Sequence, residues 1–274
     1  MNLGIIYLAT GPYIEFFTDF YDTAEKYFIP EAQKFYYVFT DRSHPYFEKP
    51  NVIHIPQHQE YWPDVVLHKY HLVLEIQQMF EKIDFLLVMN ANLKFVDEIN
   101  AKEFLPSVED NYLVGVEHPT QNQQPISKRP FENRQESTAY IKPEKRGIYF
   151  QSAIFGGRKQ EFLRMCFTLR NNVEIDYSKN IIAIWHDESH LNSYFYNYKF
   201  PKVLSPAYLY PENIKLHGVK PKILMLDKSK KGGKTFSYYR KYSEQTPKFK
   251  NKFQYYKHIL IYNLIKVLKK LDEA

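Results

Sequence analysis

Asp84-Phe85-Leu86-Leu87-Val88-Met89-Asn90-Ala91-Asn92 decides how the chain folds. Its unbroken apolar run, with no polar residue alternating through it, is the pattern of a strand buried on both faces, and such strands belong to parallel sheets covered by helices. The run stops at three short residues, Asn-Ala-Asn, that read as a turn. Upstream, Leu3 to Ala9 is a second buried run, and Lys34 to Thr40 and Asn51 to Ile55 are rich in β-formers. Downstream, Leu113 to Glu117 and Ile148 to Phe155 repeat the pattern, the last ending at Gly156-Gly157. Between these runs the periodicity turns helical over Thr18 to Phe28, Val65 to Phe80, Lys159 to Asn171 and Asp187 to Tyr198. Residues 119 to 146 are polar and punctuated by proline, hence loop-like. Strands alternating with helices predict an α/β fold with a mostly parallel central sheet flanked by helices. Ligands of such sheets gather at the carboxyl ends of the strands, which here carry Thr10-Gly11, Thr40-Asp41 and Asn90-Ala91-Asn92.

Composition narrows the function. The 274 residues include only 9 glycines, and no G-x-G-x-x-G or Walker A string occurs. Cys166 is the single cysteine, so no internal disulfide or multi-cysteine metal cluster forms. A reducing cytoplasmic setting is expected. The N-terminal run lacks a basic flank and meets Gly11-Pro12 too early for a signal peptide. Aromatic residues reach 17%, which coding bias explains as readily as sugar stacking does. The net charge of +6 is unevenly spread: residues 228 to 274 hold 13 Lys and Arg against 3 acids, leaving −4 for residues 1 to 227. A basic tail on a mildly acidic body points to an anionic surface or nucleic acid as the tail's partner.

Three groups of residues carry candidate chemistry. Trp185-His186-Asp187-Glu188-Ser189-His190 is the densest polar cluster, and a helix starting there favours its carboxylates through the positive end of the dipole. The same residues also suit a plain N-terminal cap. His186 and His190 are spaced as zinc ligands, but no third ligand accompanies them. Asn90 and Asn92 are neutral amides, poorer ligands for Mg²⁺ or Mn²⁺ than carboxylates. Lys228, Lys230, Lys231 and Lys234 flank Gly232-Gly233 and offer point charges to phosphates, or form a solvated linker.

Several strings in order resemble glycosyltransferase family 6, which includes the histo-blood-group A and B transferases and the α1,3-galactosyltransferases. They are Thr23-Ala24-Glu25-Lys26-Tyr27-Phe28, Tyr36-Tyr37-Val38-Phe39-Thr40-Asp41, Trp62-Pro63-Asp64, Phe155-Gly156-Gly157, Trp185-His186-Asp187-Glu188-Ser189-His190-Leu191-Asn192 and Leu204-Ser205-Pro206-Ala207-Tyr208-Leu209. The resemblance runs from about Leu3 to Lys234. It implies a GT-A fold over residues 1–234, a UDP-sugar donor and α1,3 transfer with retention of configuration. Leu8, Ala9 and Thr10 would line the uridine site and Tyr13 would meet the nucleotide. Asn90, Ala91 and Asn92 would take the place of the family's D-x-D. Gln151, Ser152 and Ala153 would select the donor sugar, Lys69 and Asp187 would lie on the donor side, and Lys228 would meet the diphosphate. His118 and Trp185 would contact the acceptor, and Glu188 would be the catalytic carboxylate.

The departures from the family pattern are informative. Asn-Ala-Asn for D-x-D is shared with the family's bacterial branch, so no divalent metal and no other cofactor is expected. Lys69 stands where an arginine is common, and Pro130 where a small polar residue often sits near the acceptor. Ala153 at the third position of the selecting strand implies galactose over N-acetylgalactosamine. A donor of UDP-GalNAc remains an alternative, as does an inactive sugar-binding protein.

The tail, residues 235–274, lies beyond the resemblance. Phe249, Phe253, Tyr256, Leu260, Leu264, Val267 and Leu271 recur at helical spacing with lysines mostly off the stripe. This predicts a basic amphipathic helix for peripheral contact with the inner membrane face, or for packing on the body or on a second copy. The expected acceptor is an oligosaccharide or lipid-linked glycan, and no nucleic-acid partner is expected.

Overall fold

The computed structural model of the chain describes residues 1–58, 60 and 63–228. Trp62, Lys230, Lys231, Lys234 and the amphipathic segment from Phe249 to Leu271 lie outside the described residues. The order is β1 (Asn2–Leu8), α1 (Phe17–Tyr27), β2 (Gln33–Thr40), β3 (Val52–Pro56), α2 (Asp64–Leu67), α3 (Lys69–Glu75), β4 (Phe85–Asn90), β5 (Leu93–Phe95), α4 (Ala101–Phe104) and β6 (Leu113–Glu117). It continues with β7 (Phe150–Arg158), α5 (Lys159–Ser178), α6 (His186–Asn197), β8 (Lys202–Leu204), β9 (Tyr210–Pro211) and β10 (Ile223–Met225).

Seven strands form the central sheet in the order β3-β2-β1-β4-β7-β6-β8. Among the described residues of this sheet, only β7 runs against its neighbours β4 and β6, and the other pairings are parallel. A second small sheet, β5-β10-β9, stands at the carboxyl-end rim of β4. Alternation along the strands divides the core between the two faces. Leu3, Ile5 and Tyr7 of β1 with Leu87 and Met89 of β4 pack under Phe17, Phe20 and Ala24 of α1. Ile6, Leu86 and Val88 point the other way, into Tyr70 and Val73 of α3, Phe162, Met165 and Leu169 of α5, and Leu191 and Phe195 of α6. Helices thus cover both faces, as the continuous apolar strands require.

Three elements differ from the sequence expectation. The segment Val65 to Phe80 is broken into α2, α3 and a 3-10 turn over Gln77–Phe80 rather than one helix. Tertiary bonds hold the pieces: Tyr37 donates to the Met79 carbonyl, and the Lys159 ammonium caps the carbonyls of Phe80 and Glu81. β7 does not end at Gly156 but continues through Gly157 to Arg158. A Cβ on Gly156 would lie 2.2 Å from the Leu86 carbonyl, and one on Gly157 2.2 Å from that of Tyr112, so the two glycines let β4 and β6 close in from both sides. α5 runs seven residues past Asn171, to Ser178, because Val173 and Asp176 are buried and keep the helix docked. Residues 119 to 146 form the expected connection, stitched by Arg129 and Arg146 to backbone carbonyls of Asn122, Gln124, Gly147, Glu132 and Ile141. Among the described residues no helix is long and apolar enough to cross a membrane.

Candidate active site

A cavity of about 800 Å³ opens at the carboxyl ends of β1, β2 and β4. It brings together eight residues singled out in the sequence: Leu8, Thr10, Tyr13, Lys69, Asn90, Ala91, Asn92 and Lys228. The strands explain why. Leu8 and Asn90 are register partners at the ends of two parallel strands, so the turns that follow both open on the same rim. Phe39, Val65, Val66 and Leu72 add apolar lining, and Glu60, Glu212 and Asp227 add acidic groups. The acids are engaged: Glu60 meets His68 at 3.0 Å, Glu212 accepts the Asp227 N–H, and Asp227 accepts from Asn213. The Lys228 ammonium lies 5.2 Å above the Tyr13 ring, a cation–π contact that holds its charge over the rim. Ala9 does not line the cavity. It is 1% exposed, its N–H bonds to Phe39 and its carbonyl accepts from Thr40, so it forms the floor between β1 and β2.

The asparagine turn is tied down on both sides. Tyr7 donates to the Ala91 carbonyl at 2.9 Å, and the Asn92 side-chain amide donates to the Leu226 carbonyl at 2.7 Å. Among the described residues no three or more His, Cys, Asp or Glu side chains gather as a metal site. The donor set at this turn is two neutral amides, poorer ligands for a divalent ion than the two carboxylates of a D-x-D.

The second wall is built from β7 and the start of α6. The β6–β7 register jumps between Gly115, opposite Phe155, and Val116, opposite Gln151. The residues between, Ser152 to Ile154, therefore bulge out of that ladder, which frees the Ser152 N–H. That N–H donates to Glu188 Oε2 at 3.1 Å. Asn192 sits one turn beyond Glu188 on the same helix face. Its side chain accepts the Phe150 N–H and donates to the carbonyls of Phe150 and Glu188, clamping α6 to the base of the bulge. Sequence reading gave Asn192 no role, although the four-residue spacing from Glu188 was there to be read.

Asp187 is joined to the first wall. Lys69 Nζ bonds its Oδ2 at 2.6 Å with both side chains largely buried, and Tyr70 donates to its backbone carbonyl. Burial pushes the Glu188 carboxyl up to about 8; the Ser152 N–H opposes the rise, Asp187 adds to it, and Tyr149 and Lys69 oppose it. The Tyr149 phenol approaches that carboxyl without a well-aligned hydrogen bond, a neighbour that no sequence motif signalled. His186, at the helix start, takes a left-handed φ of +50°, a conformation that costs a β-carbon-bearing residue strain and that clusters at functional sites.

The remaining candidates lie around this wall. Trp185 is 48% exposed beside Ile184, also exposed, an open apolar step next to Glu188. The His118 ring accepts N–H bonds from Thr120 and Gln121 through Nδ1, and burial pushes it down to about 4, so it is neutral. Gln151 reaches Met225, a cavity residue, while its Oε1 is buried with no partner. Ala153 is 1% exposed, belongs to the same core cluster as α1, and does not line the cavity.

A nucleotide-sized cleft at strand ends, with a carboxylate beside it, fits many transferases; comparison with known proteins decides among them. The model of glycosyltransferase family 6 matches residues 1–235. The chain belongs to glycosyltransferase family 6. It is 36% identical over 231 residues to the O-antigen biosynthesis glycosyltransferase WbnI of Escherichia coli, covering 84% of this chain and 96% of that protein. It is 30% identical over 221 residues to the rat histo-blood group ABO system transferase 2, covering 78% of this chain and 64% of the relative. With the human globoside α-1,3-N-acetylgalactosaminyltransferase 1 it shares 28% over 223 residues, covering 77% of this chain and 62% of the relative. This family 6 chain thus spans less than two thirds of the rat and human relatives' length. It is a glycosyltransferase with a GT-A-like fold, and its substrates are a nucleotide-sugar donor and a glycan acceptor.

Proposed function

We propose that the chain is a retaining α1,3-galactosyltransferase that moves galactose from UDP-galactose to a β-galactoside, and that it does so without a divalent ion. The observation that carries this reading is Glu188, held by the freed Ser152 N–H next to the Lys69–Asp187 pair. Retention comes from a group on the face of the donor sugar opposite the leaving UDP, or from a front-face internal return. Glu188 serves as the nucleophile of a glycosyl–enzyme or as the electrostatic partner of an oxocarbenium-like centre. A carboxyl raised to about 8 is a strong base, and the positive charge that develops on the sugar favours its ionised form.

Departing UDP carries negative charge that the site has to offset. Lys228 on the cavity lining supplies it, in place of the ion that two neutral amides are unsuited to hold. Leu8, Thr10 and Tyr13 take the uridine end. Trp185, an exposed indole beside Glu188, offers a stacking face for the acceptor sugar, with His118 as a neutral hydrogen-bonding group. The galactose preference rests on the family resemblance at Ala153, whose buried methyl does not itself line the cavity.

A second donor has an observation of its own: several relatives are named for N-acetylgalactosamine transfer. The test offers UDP-galactose and UDP-GalNAc against fucosylated and unfucosylated β-galactosides, with the product linkage read by NMR. An α1,3-galactoside formed faster than the GalNAc product supports the proposal. Faster GalNAc transfer overturns the donor assignment, and a β-linked product overturns retention.

A further inference from the structure

Asn92 lies on the cavity lining but is only 3% exposed, and its side-chain N–H is spent on the Leu226 carbonyl. It lies where the antiparallel ladder between β5 and β10 runs out, one residue past the Leu93–Met225 pair. There the Leu226 N–H still donates to the Asn92 carbonyl at 2.8 Å, in the manner of the ladder. The Leu226 carbonyl takes its bond at 2.7 Å from the Asn92 side chain instead. Two residues later the same stretch delivers Lys228 over Tyr13.

We infer that Asn92 is a positioning residue for the nucleotide site: its side-chain N–H fastens the Leu226–Lys228 strap and so sets the Lys228 ammonium at the cavity rim. The inference rests on the reading that Lys228 offsets the charge of UDP. It gives the asparagine a task that an aspartate cannot perform. An ionised carboxylate has no proton to donate and would face the Leu226 carbonyl lone pairs at hydrogen-bond distance. Exchange of a metal-holding acid for an amide at this position therefore removes one charge from the rim and pins its replacement with the same side chain. The rest of the strap agrees: the Asp227 N–H is held by Glu212 and the Asp227 carboxylate by Asn213, so Lys228 emerges from a stretch fixed at two consecutive residues.

A double-mutant cycle on UDP binding, measured by calorimetry on the full chain, tests this. Asn92→Ala and Lys228→Met should each raise the UDP Kd about tenfold, and the double variant should also lie about tenfold above wild type, since a loosened strap and a missing ammonium remove the same contact. An unchanged Kd for Asn92→Ala, or a double variant near a hundredfold, overturns the role. If Asn92→Ala does not fold, Asn92→Asp keeps the shape. Its UDP affinity relative to wild type should recover at acid pH, where the new carboxyl carries a proton and donates as the amide did, and failure to recover overturns the role. The cycle is run in EDTA and again with Mn²⁺. A wild type that binds UDP only with Mn²⁺ breaks the metal-free reading, while the coupling still decides the role of Asn92.

Discussion

The nucleotide-facing wall ends neighbouring parallel strands in step: β1, β2 and β4 stop on one rim, and Leu8, Phe39 and Asn90 reach the cavity from there. The wall that holds Glu188 is assembled from irregularities. It needs an antiparallel strand, a register jump that frees the Ser152 N–H, a left-handed His186 and a side-chain clamp by Asn192. Regular structure makes a binding floor, because repeated strand ends give repeated backbone geometry. A reactive carboxylate needs a local break in that regularity, because a paired strand has no N–H left to offer it.

If the walls divide the labour in this way, Glu188→Gln separates them most sharply. Turnover should fall by about 10³-fold or more, while the UDP Kd stays within about twofold. The same variant has a signature in stability. Because the folded carboxyl titrates at about 8 against an ordinary 4.5, the folded chain holds a proton that the unfolded chain releases between these values. The stabilisation from the neutral form is complete below 4.5 and is lost as pH rises through about 8. Glu188→Gln, permanently neutral, should therefore melt like wild type at acid pH and above it at alkaline pH. Wild-type turnover, or a melting difference that shrinks as pH rises, removes Glu188 from its assigned place.

Lys69→Met tests the seam between the walls. It strands the buried Asp187 carboxylate and should cost about 3–5 kcal/mol in urea unfolding, as breaking one side of a buried ion pair does. Lys69→Met combined with Asp187→Leu should recover much of that loss. A single-variant cost below about 1 kcal/mol would mean the pair is solvated and the walls are not joined there.

The sequence was legible where the physics is periodic. Continuous apolar runs announced β1, β4 and β6, and strand ends predicted the rim that Thr10 and Asn90 occupy. The cluster that holds Glu188 and Asp187 stood out by its density of polar groups, but the separate roles of the two carboxylates came from resemblance. The bulge at Ser152 was not legible, because a register jump depends on which strand pairs with β7 and not on β7 alone. Ala9 and Ala153 show the same limit in the other direction. Both fall in the right strings, yet Ala9 follows the alternation of β1 into the core and Ala153 is buried there from the bulge. Lys69 was placed on the donor side, but its pairing with Asp187, 118 residues away, follows from the packing of α3 on α5 and of α2 and α5 on α6 and has no local signal.

The central claim is that a lysine side chain, and not a bound ion, offsets the charge of UDP at the strand-end wall. Initial rates of galactose transfer by wild type, before and after exhaustive dialysis against EDTA and after Mn²⁺ is added back, test it directly. The account predicts the same rate in all three. A rate that collapses in EDTA and returns with Mn²⁺ would contradict it.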